Sequence, residues 1–251
     1  MFTSVKTATE IQSMRESGHM LANVLRFLEQ HTIAGLSTKK LADMAVAELH
    51  SLGGEPAFLG YQGFPDVLCT SINNEVVHGI PSEQKILQEG DILSLDFGVQ
   101  YRGMITDAAI STIVGKPLKR QHADLVQNTH RALLAGIDAV HHGVRTGDIG
   151  ATVEAQLSKH HYGIVRDLVG HGVGHYLHED PNVPNYGKRH TGAKLSKGMT
   201  IAIEPMATLG EDKVYVADDG WTVLTWDASW SAHFEHTVLI EDSAAEILTA
   251  I

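Results

Sequence analysis

Apolar residues near the start of the chain fall at helical intervals, with Ile11, Met14, Leu21, Val24, Leu25 and Leu28 sharing one face. Just ahead, Thr7-Ala-Thr-Glu10 has the spacing of a capping box. A second helix is predicted over 38–52, stopped by Gly53-Gly54. The pattern then changes. Residues 67–73 read as a strand, and so do 91–100, with Ile92, Leu93, Leu95, Phe97 and Val99, and 104–114, with Ile105, Ile110 and Ile113. Helices are predicted again over 118–142 and 149–161. Strands resume at 164–168 and 199–205, and short β segments run on through Leu239 and Ile247. The order helix, helix, strands occurs twice. It predicts an α+β protein of two similar halves whose strands join in one sheet, with helices over the opposite face. No Pro/Ser/Gly-rich linker separates the halves, so residues 1–251 are read as a single domain.

Into this apolar pattern the sequence sets five residues that ordinarily avoid burial: Asp96, Asp107, His171, Glu204 and Glu235. An isolated carboxylate is costly to desolvate, and almost no Lys or Arg lies near these positions in sequence. Cations are the remaining partner, and four carboxylates with one imidazole could hold two divalent ions. A tight hairpin centred on Tyr101 and Arg102 would set Asp96 directly across from Asp107. Such cross-strand Cβ atoms lie about 4.5–5.5 Å apart, where like charges repel unless a metal bridges them. A slipped register would instead turn one of the two carboxylates to solvent.

The net charge of −11 gives no reason to expect nucleic acid or an anionic membrane as partner, and no apolar run approaches the ~20 residues of a membrane span. The lone Cys69 excludes an internal disulfide and fits a reducing cytoplasm. The first residues, Met-Phe-Thr-Ser-Val-Lys, lack the apolar core of a signal peptide. The lone Cys also rules out a thiolate-rich zinc site, and oxygen ligation with one imidazole suits Mn, Fe(II), Co or Zn. Cys69 reads as a buried wall residue rather than a nucleophile. Gly170-His-Gly-Val-Gly174 lacks the Lys and Ser/Thr of a phosphate-binding loop; its glycines suit a close backbone approach to the site. Most of the sixteen histidines, His141, His142, His160 and His161 among them, read as surface or structural.

Several segments carry a resemblance along essentially the whole chain. They are Ser71-Ile-Asn-Asn-Glu-Val-Val-His-Gly-Ile-Pro81, Gly90-Asp-Ile-Leu-Ser-Leu-Asp96, Gly170-His-Gly-Val-Gly174, Leu177-His-Glu-Asp-Pro181, Ile203-Glu-Pro-Met206, Asp219-Gly-Trp-Thr-Val223 and Phe234-Glu-His-Thr237. In that order and spacing the chain resembles the type I methionine aminopeptidases. The resemblance implies the pita-bread fold, in which two pseudo-symmetric halves form one curved, mostly antiparallel sheet covered by helices on its outer face. It implies two divalent metal ions bridged by Asp107 and Glu235, with Asp96 completing one shell and His171 and Glu204 the other. His78 and His178 correspond to the family's active-site histidines, and Tyr61, Phe64, Cys69, Leu177 and Trp221 to its methionine pocket. Phe64 stands where Tyr is frequent, Phe58 where a smaller residue often lies, and His175 where Arg is common; these departures bear on pocket shape.

The resulting expectation is a metal-dependent aminopeptidase that removes the initiator methionine from nascent proteins and peptides, favouring a small second residue. A metal-activated water would attack the first peptide bond, with Glu204 shuttling the proton and His78 and His178 contacting substrate. The enzyme is expected to be cytoplasmic and monomeric. Ribosome contact stays open, since no basic extension or zinc-finger spacing marks a docking segment. One alternative is a proline-specific peptidase of the same fold, which uses the same five ligands but usually carries an extra N-terminal domain. Another is a non-catalytic binding module, which would normally have lost metal ligands that are all present here.

Overall fold

Thr7 caps the first helix as its spacing predicts. The computed structural model describes residues 5–250; the reading of residues 1–4 as part of a segment without a signal-peptide core lies outside them. In α1 (Ala8–His31) the Thr7 hydroxyl accepts the Glu10 N–H at 3.3 Å, and the Glu10 carboxylate accepts the Thr7 N–H at 2.7 Å. α2 (Thr38–Leu52) starts under the Ser37 side chain and ends at Gly53, whose φ of 84° lies in the left-handed region that favours glycine. α3 (Arg120–Asp138) and α4 (Thr146–Ser158) follow. α4 begins before the predicted residue 149 because Asp148 accepts the Arg145 N–H at 3.1 Å and so caps an earlier turn.

The strands are β1 (Glu55–Pro56), β2 (Cys69–Ile72), β3 (Glu75–Val77), β4 (Ile92–Tyr101) and β5 (Met104–Ile113) in the first half. In the second half come β6 (Gly163–Ile164), β7 (Gly170–Gly172), β8 (Glu179–Val183), β9 (Thr200–Ile203) and β10 (Met206–Thr208). β11 (Val214–Val216), β12 (Val223–Thr225), β13 (Ser231–His233), β14 (Glu235–Ile240) and β15 (Ala245–Ile247) complete it. A nine-stranded antiparallel sheet runs β1-β4-β5-β14-β9-β7-β8, with β2 added on β4 and β15 on β14. The single sheet expected from the sequence is joined by two three-stranded sheets, β13-β10-β6 and β11-β12-β3. The first arises where β9 passes into β10 at Glu204-Pro205 and β13 into β14 at Phe234, so that one pair of strands serves two sheets. The strand predicted over 164–168 shortens to β6 because Arg166 turns outward to Glu154 and Asp212.

Each half packs two helices on its part of the sheet. Leu21, Val24, Leu25 and Leu28 of α1 and Leu41, Ala45 and Leu49 of α2 bury against Leu93, Leu95, Phe97 and Val99 of β4. Leu133 and Ile137 of α3 and Ile149 of α4 do the same against Ile201 and Ile203 of β9 and Val238 and Ile240 of β14. At about 1.5–3 kcal/mol per buried aliphatic side chain, these two layers supply the main force that holds the sheet in shape.

The hairpin register differs from the expected one. Arg102 and Gly103, at φ 49° and 77°, form the two-residue loop, and Tyr101 pairs with Met104. Two positive φ values mark the loop geometry whose twist matches paired strands. The turn therefore centres one residue later than predicted and the pairing shifts by two: Asp96 opposes Ala109, and Asp107 opposes Gly98. A shift of two keeps every side chain on its face, so the two carboxylates become diagonal rather than direct neighbours.

Candidate active site

The sheet register collects the acidic side chains on the face away from α1 and α2. Asp96 lies beside Ala109, and Ala109 beside Glu235. The β9–β14 and β10–β13 pairings share one register, with Ile203 opposite His236 and Met206 opposite His233. Glu204 thus falls opposite Glu235 at the interruption between them. Asp107 sits two residues along β5 on the same face, and β7 brings in His171 beside β9. Ligand atoms of Asp107, His171 and Glu235 all lie within 4.8 Å of one another, and His171 Nε2 is 3.5 Å from Glu204 Oε1.

These groups are buried without compensation. Among the described residues no Lys or Arg pairs with any of the four carboxylates, and Asp96 Oδ1, Asp107 Oδ1 and Glu235 Oε1 have no hydrogen-bond partner. Burial pushes Asp96 up to about 7. It holds Asp107, Glu204 and Glu235 well above the ordinary carboxylate range, with the neighbouring carboxylates adding to the effect. His171 Nδ1 lies 2.9 Å from the Gly172 carbonyl. A carbonyl can only accept, so the ring proton is on Nδ1 and the Nε2 lone pair is left facing the carboxylates. Burial lowers this imidazole to about 3, which keeps it neutral. Orphaned buried oxygens and an oriented lone pair are what a divalent cation requires, and this oxygen-rich donor set suits Mn, Fe(II), Co or Zn.

Beside the carboxylates opens a cavity of ≈ 280 Å³. Asp96, Asp107, His171, Glu204 and Glu235 form its floor, and Tyr61, Phe64, Cys69, His78, Leu177, His178 and Trp221 also line it. The candidate ligands, active-site histidines and pocket residues are therefore at one place, whereas His175 does not line the cavity and sets its Nε2 2.8 Å from Glu10 instead. The wall is an apolar cluster in which Phe58, Phe64, Cys69 and Leu177 pack with Ile105 and Val173. Phe64 meets Trp221 edge-on at 5.2 Å. The buried Cys69 thiol is driven well above its usual range by desolvation and then by the charge of Asp96, so it stays protonated and makes a poor nucleophile.

His78 follows β3 at φ 58°, a left-handed conformation that turns its ring toward Trp221, with the ring centres 6.3 Å apart. Burial lowers it to about 4, and its neighbour His178 adds to this. His178 lies against His171 with ring centres 4.0 Å apart and planes tilted by 52°, and it is also lowered by burial. His141, His142, His160 and His161 are exposed.

The sequence reading missed two contributors. Gln62 lines the cavity from a short turn with no pattern to mark it. His233 is 1% exposed, has neither ring nitrogen bonded, and stands 3.8 Å from Glu204. Its signal was present: His233 and Glu235 are two apart, the period that puts side chains of a strand on one face.

The sequence profile described as Metallopeptidase family M24 matches residues 12–242. A methionine aminopeptidase of Clostridium acetobutylicum is 42% identical over 245 residues, covering 98% of each chain. Methionine aminopeptidase 1 of Bacillus subtilis is 38% identical over 246 residues, again 98% of each. The crystal structure of methionine aminopeptidase from Thermotoga maritima superposes with a TM-score of 0.98 at 41% identity over the full length of both chains. Prolidase from Pyrococcus furiosus, at 22% identity and a TM-score of 0.79 over 66% of its own chain, shares the fold alone. Likeness of this extent, over a fold that crowds unpaired carboxylates at the foot of an apolar cleft, makes the chain a member of metallopeptidase family M24, on its methionine aminopeptidase branch.

Proposed function

We propose that this protein hydrolyses the first peptide bond of chains that begin with methionine, nascent proteins included, and that residues 1–251 act as one catalytic domain in the cytoplasm as a monomer. The observation that carries the reading is the uncompensated row of Asp96, Asp107, Glu204 and Glu235 beside an apolar cavity. Those carboxylates with His171 would hold two divalent ions, Asp107 and Glu235 serving both. When bound, such ions lower the pKa of water and polarise a carbonyl.

The remaining chemistry belongs to the chain's own side chains. Phe58, Phe64, Cys69, Leu177 and Trp221 take the methionine side chain out of water. With ions held there, the floor would receive a free, neutral α-amino group as a further donor, which selects N-termini over internal bonds. Glu204, half-buried against His171, accepts a proton from the attacking water and returns it to the leaving nitrogen. His78 and His178 stand over the floor and hydrogen-bond the scissile peptide unit as charge develops on its oxygen. A second residue larger than Ala, Ser or Gly meets the cleft wall, and ribosome contact is at most transient.

The test starts from chelator-stripped protein reloaded with Mn²⁺ or Co²⁺. Met-Ala-Ser is expected to be cleaved, with N-acetylated Met-Ala-Ser and Xaa-Pro peptides inert. Faster turnover of Xaa-Pro, or activity that survives chelation, overturns the assignment. Glu204→Gln with measured metal occupancy should lower kcat by ~10²–10⁴-fold; near-native turnover at full occupancy removes Glu204 from the proton path.

A further inference from the structure

Tyr61 does more at this cavity than wall it. The residue stands in a tight turn, Tyr61–Gly63, flanked by Gly60 at φ 79° and Gly63 at φ 92°. Its N–H donates to the Phe58 carbonyl at 2.9 Å, and its carbonyl accepts the Phe64 N–H at 2.9 Å, so the backbone is fixed on both sides. The phenol reaches across the cleft to a residue 117 positions away, and its oxygen lies 2.8 Å from His178 Nδ1. The Gln62 amide nitrogen donates to the same oxygen at 3.2 Å. The loop that carries His178 is itself held from below. The buried Glu179 carboxylate accepts the His175 N–H at 2.7 Å, the Tyr176 N–H at 3.1 Å and Lys6 Nζ at 2.8 Å.

The geometry points to Tyr61 as a positioning residue that sets the tautomer of His178 through a donor chain running Gln62 Nε2–H to Tyr61 Oη–H to His178 Nδ1. A neutral imidazole has one N–H and one lone pair. Gln62 occupies one lone pair of the phenol oxygen, and among the described residues Nδ1 is the acceptor placed to take the phenol proton. The proton of the ring is then on Nε2, the nitrogen turned away from Tyr61. An N–H at Nε2 can hydrogen-bond the peptide oxygen of a substrate; a lone pair there would repel it. The hydroxyl of Tyr61 thus decides whether His178 meets developing negative charge as a donor. This rests on the reaction proposed above, yet the tautomer can be read without any turnover.

In metal-free protein labelled with ¹⁵N-histidine, long-range proton–nitrogen correlation at neutral pH is expected to show His178 as the Nε2–H form, its signal assigned by loss in His178→Ala. Tyr61→Phe should leave a mixture of tautomers, and Gln62→Leu a smaller shift in the same direction. In the metal-loaded enzyme, Tyr61→Phe should lower kcat on Met-Ala-Ser by ~10–100-fold, short of the loss for deleting an oxyanion donor, with KM within about threefold. An Nδ1–H form in the unmodified protein, a tautomer indifferent to both substitutions, or a loss confined to KM overturns the proposal; the last is what a plain wall residue would give. If the protein fails to cleave Met-Ala-Ser at all, the reaction assignment fails while the nitrogen spectra still judge Tyr61.

Discussion

Gly98 shows how one missing side chain shapes the cleft. It opposes Asp107 across the β4–β5 ladder, and a Cβ there would lie 2.6 Å and 2.9 Å from two ring atoms of Phe58 and 3.1 Å from Ala57. The ring of Phe58 occupies the space that any other residue at 98 would need. Gly98→Ala is expected to drive that ring into the cavity proposed to take the methionine side chain, raising KM for Met-Ala-Ser by ~5–10-fold at a stability loss of about 1–3 kcal/mol, the usual range for overpacking. Adding Phe58→Ala should recover much of the KM. Kinetics on the two single variants and the pair measure the coupling; additive effects would mean that the residues do not press on each other. At this scale the acidic candidates were legible in the sequence because a carboxylate inside an apolar strand is out of place. The Tyr61–His178 contact was not, because only the folded chain brings those two loops together.

Helices announce their ends locally, which is why α1 and α2 lie where the sequence puts them. Thr7 with Glu10 and Ser37 with Gly53 are chemical statements made within a few residues. Strands of two or three residues such as β6 and β11 have no periodicity to read, and their partners come from distant sequence. The β4–β5 turn centres one residue beyond the expected place because Arg102 takes a left-handed conformation that its identity does not advertise. The capping box has its own consequence. Hydrogen bonds from the Thr7 N–H and then from His175 hold Glu10 down to about 2, below its ordinary 4.5. A depressed acid stabilises the fold above its unfolded pKa, and that contribution is lost as pH falls through the folded value. Glu10 is partly exposed, so water screens part of the effect. Glu10→Gln should cost about 0.5–1 kcal/mol at neutral pH, with the gap to the parent closing as pH falls from 4.5 toward 2. Urea unfolding across that pH range checks it; a constant gap would place the effect elsewhere.

The molecule as a whole gives up stability at its own floor. Asp96, Asp107, Glu204 and Glu235 prefer their protons in the folded chain. Above pH ~4 the metal-free fold therefore binds more protons than the unfolded chain, and these groups destabilise it increasingly as pH rises toward about 7, where Asp96 titrates. Removing one of the charges should help: metal-free Asp96→Asn is expected to melt about 2–4 °C above the parent at pH 7.5, the shift that 1 kcal/mol gives a chain of this size. It should also gain less from added Mn²⁺. Calorimetry with and without the ion decides, and a lower metal-free melting point for Asp96→Asn would contradict the account. The doubled order of helix, helix, strands was legible because each half repeats the same periods; the row from Asp96 to Glu204 was not, since it crosses four strands drawn from both halves. The strand that joins those halves, β14, lies between β5 and β9 although it is nearly the last to be made. While the chain is being translated, β3 can meet β12 before the end is made, but β5 and β9 of the large sheet have no strand between them until residues 235–240 arrive. Glu204 has no counterpart opposite it before then. An unfinished copy therefore lacks Glu235, and the floor of the cavity closes only when the last long strand is laid in.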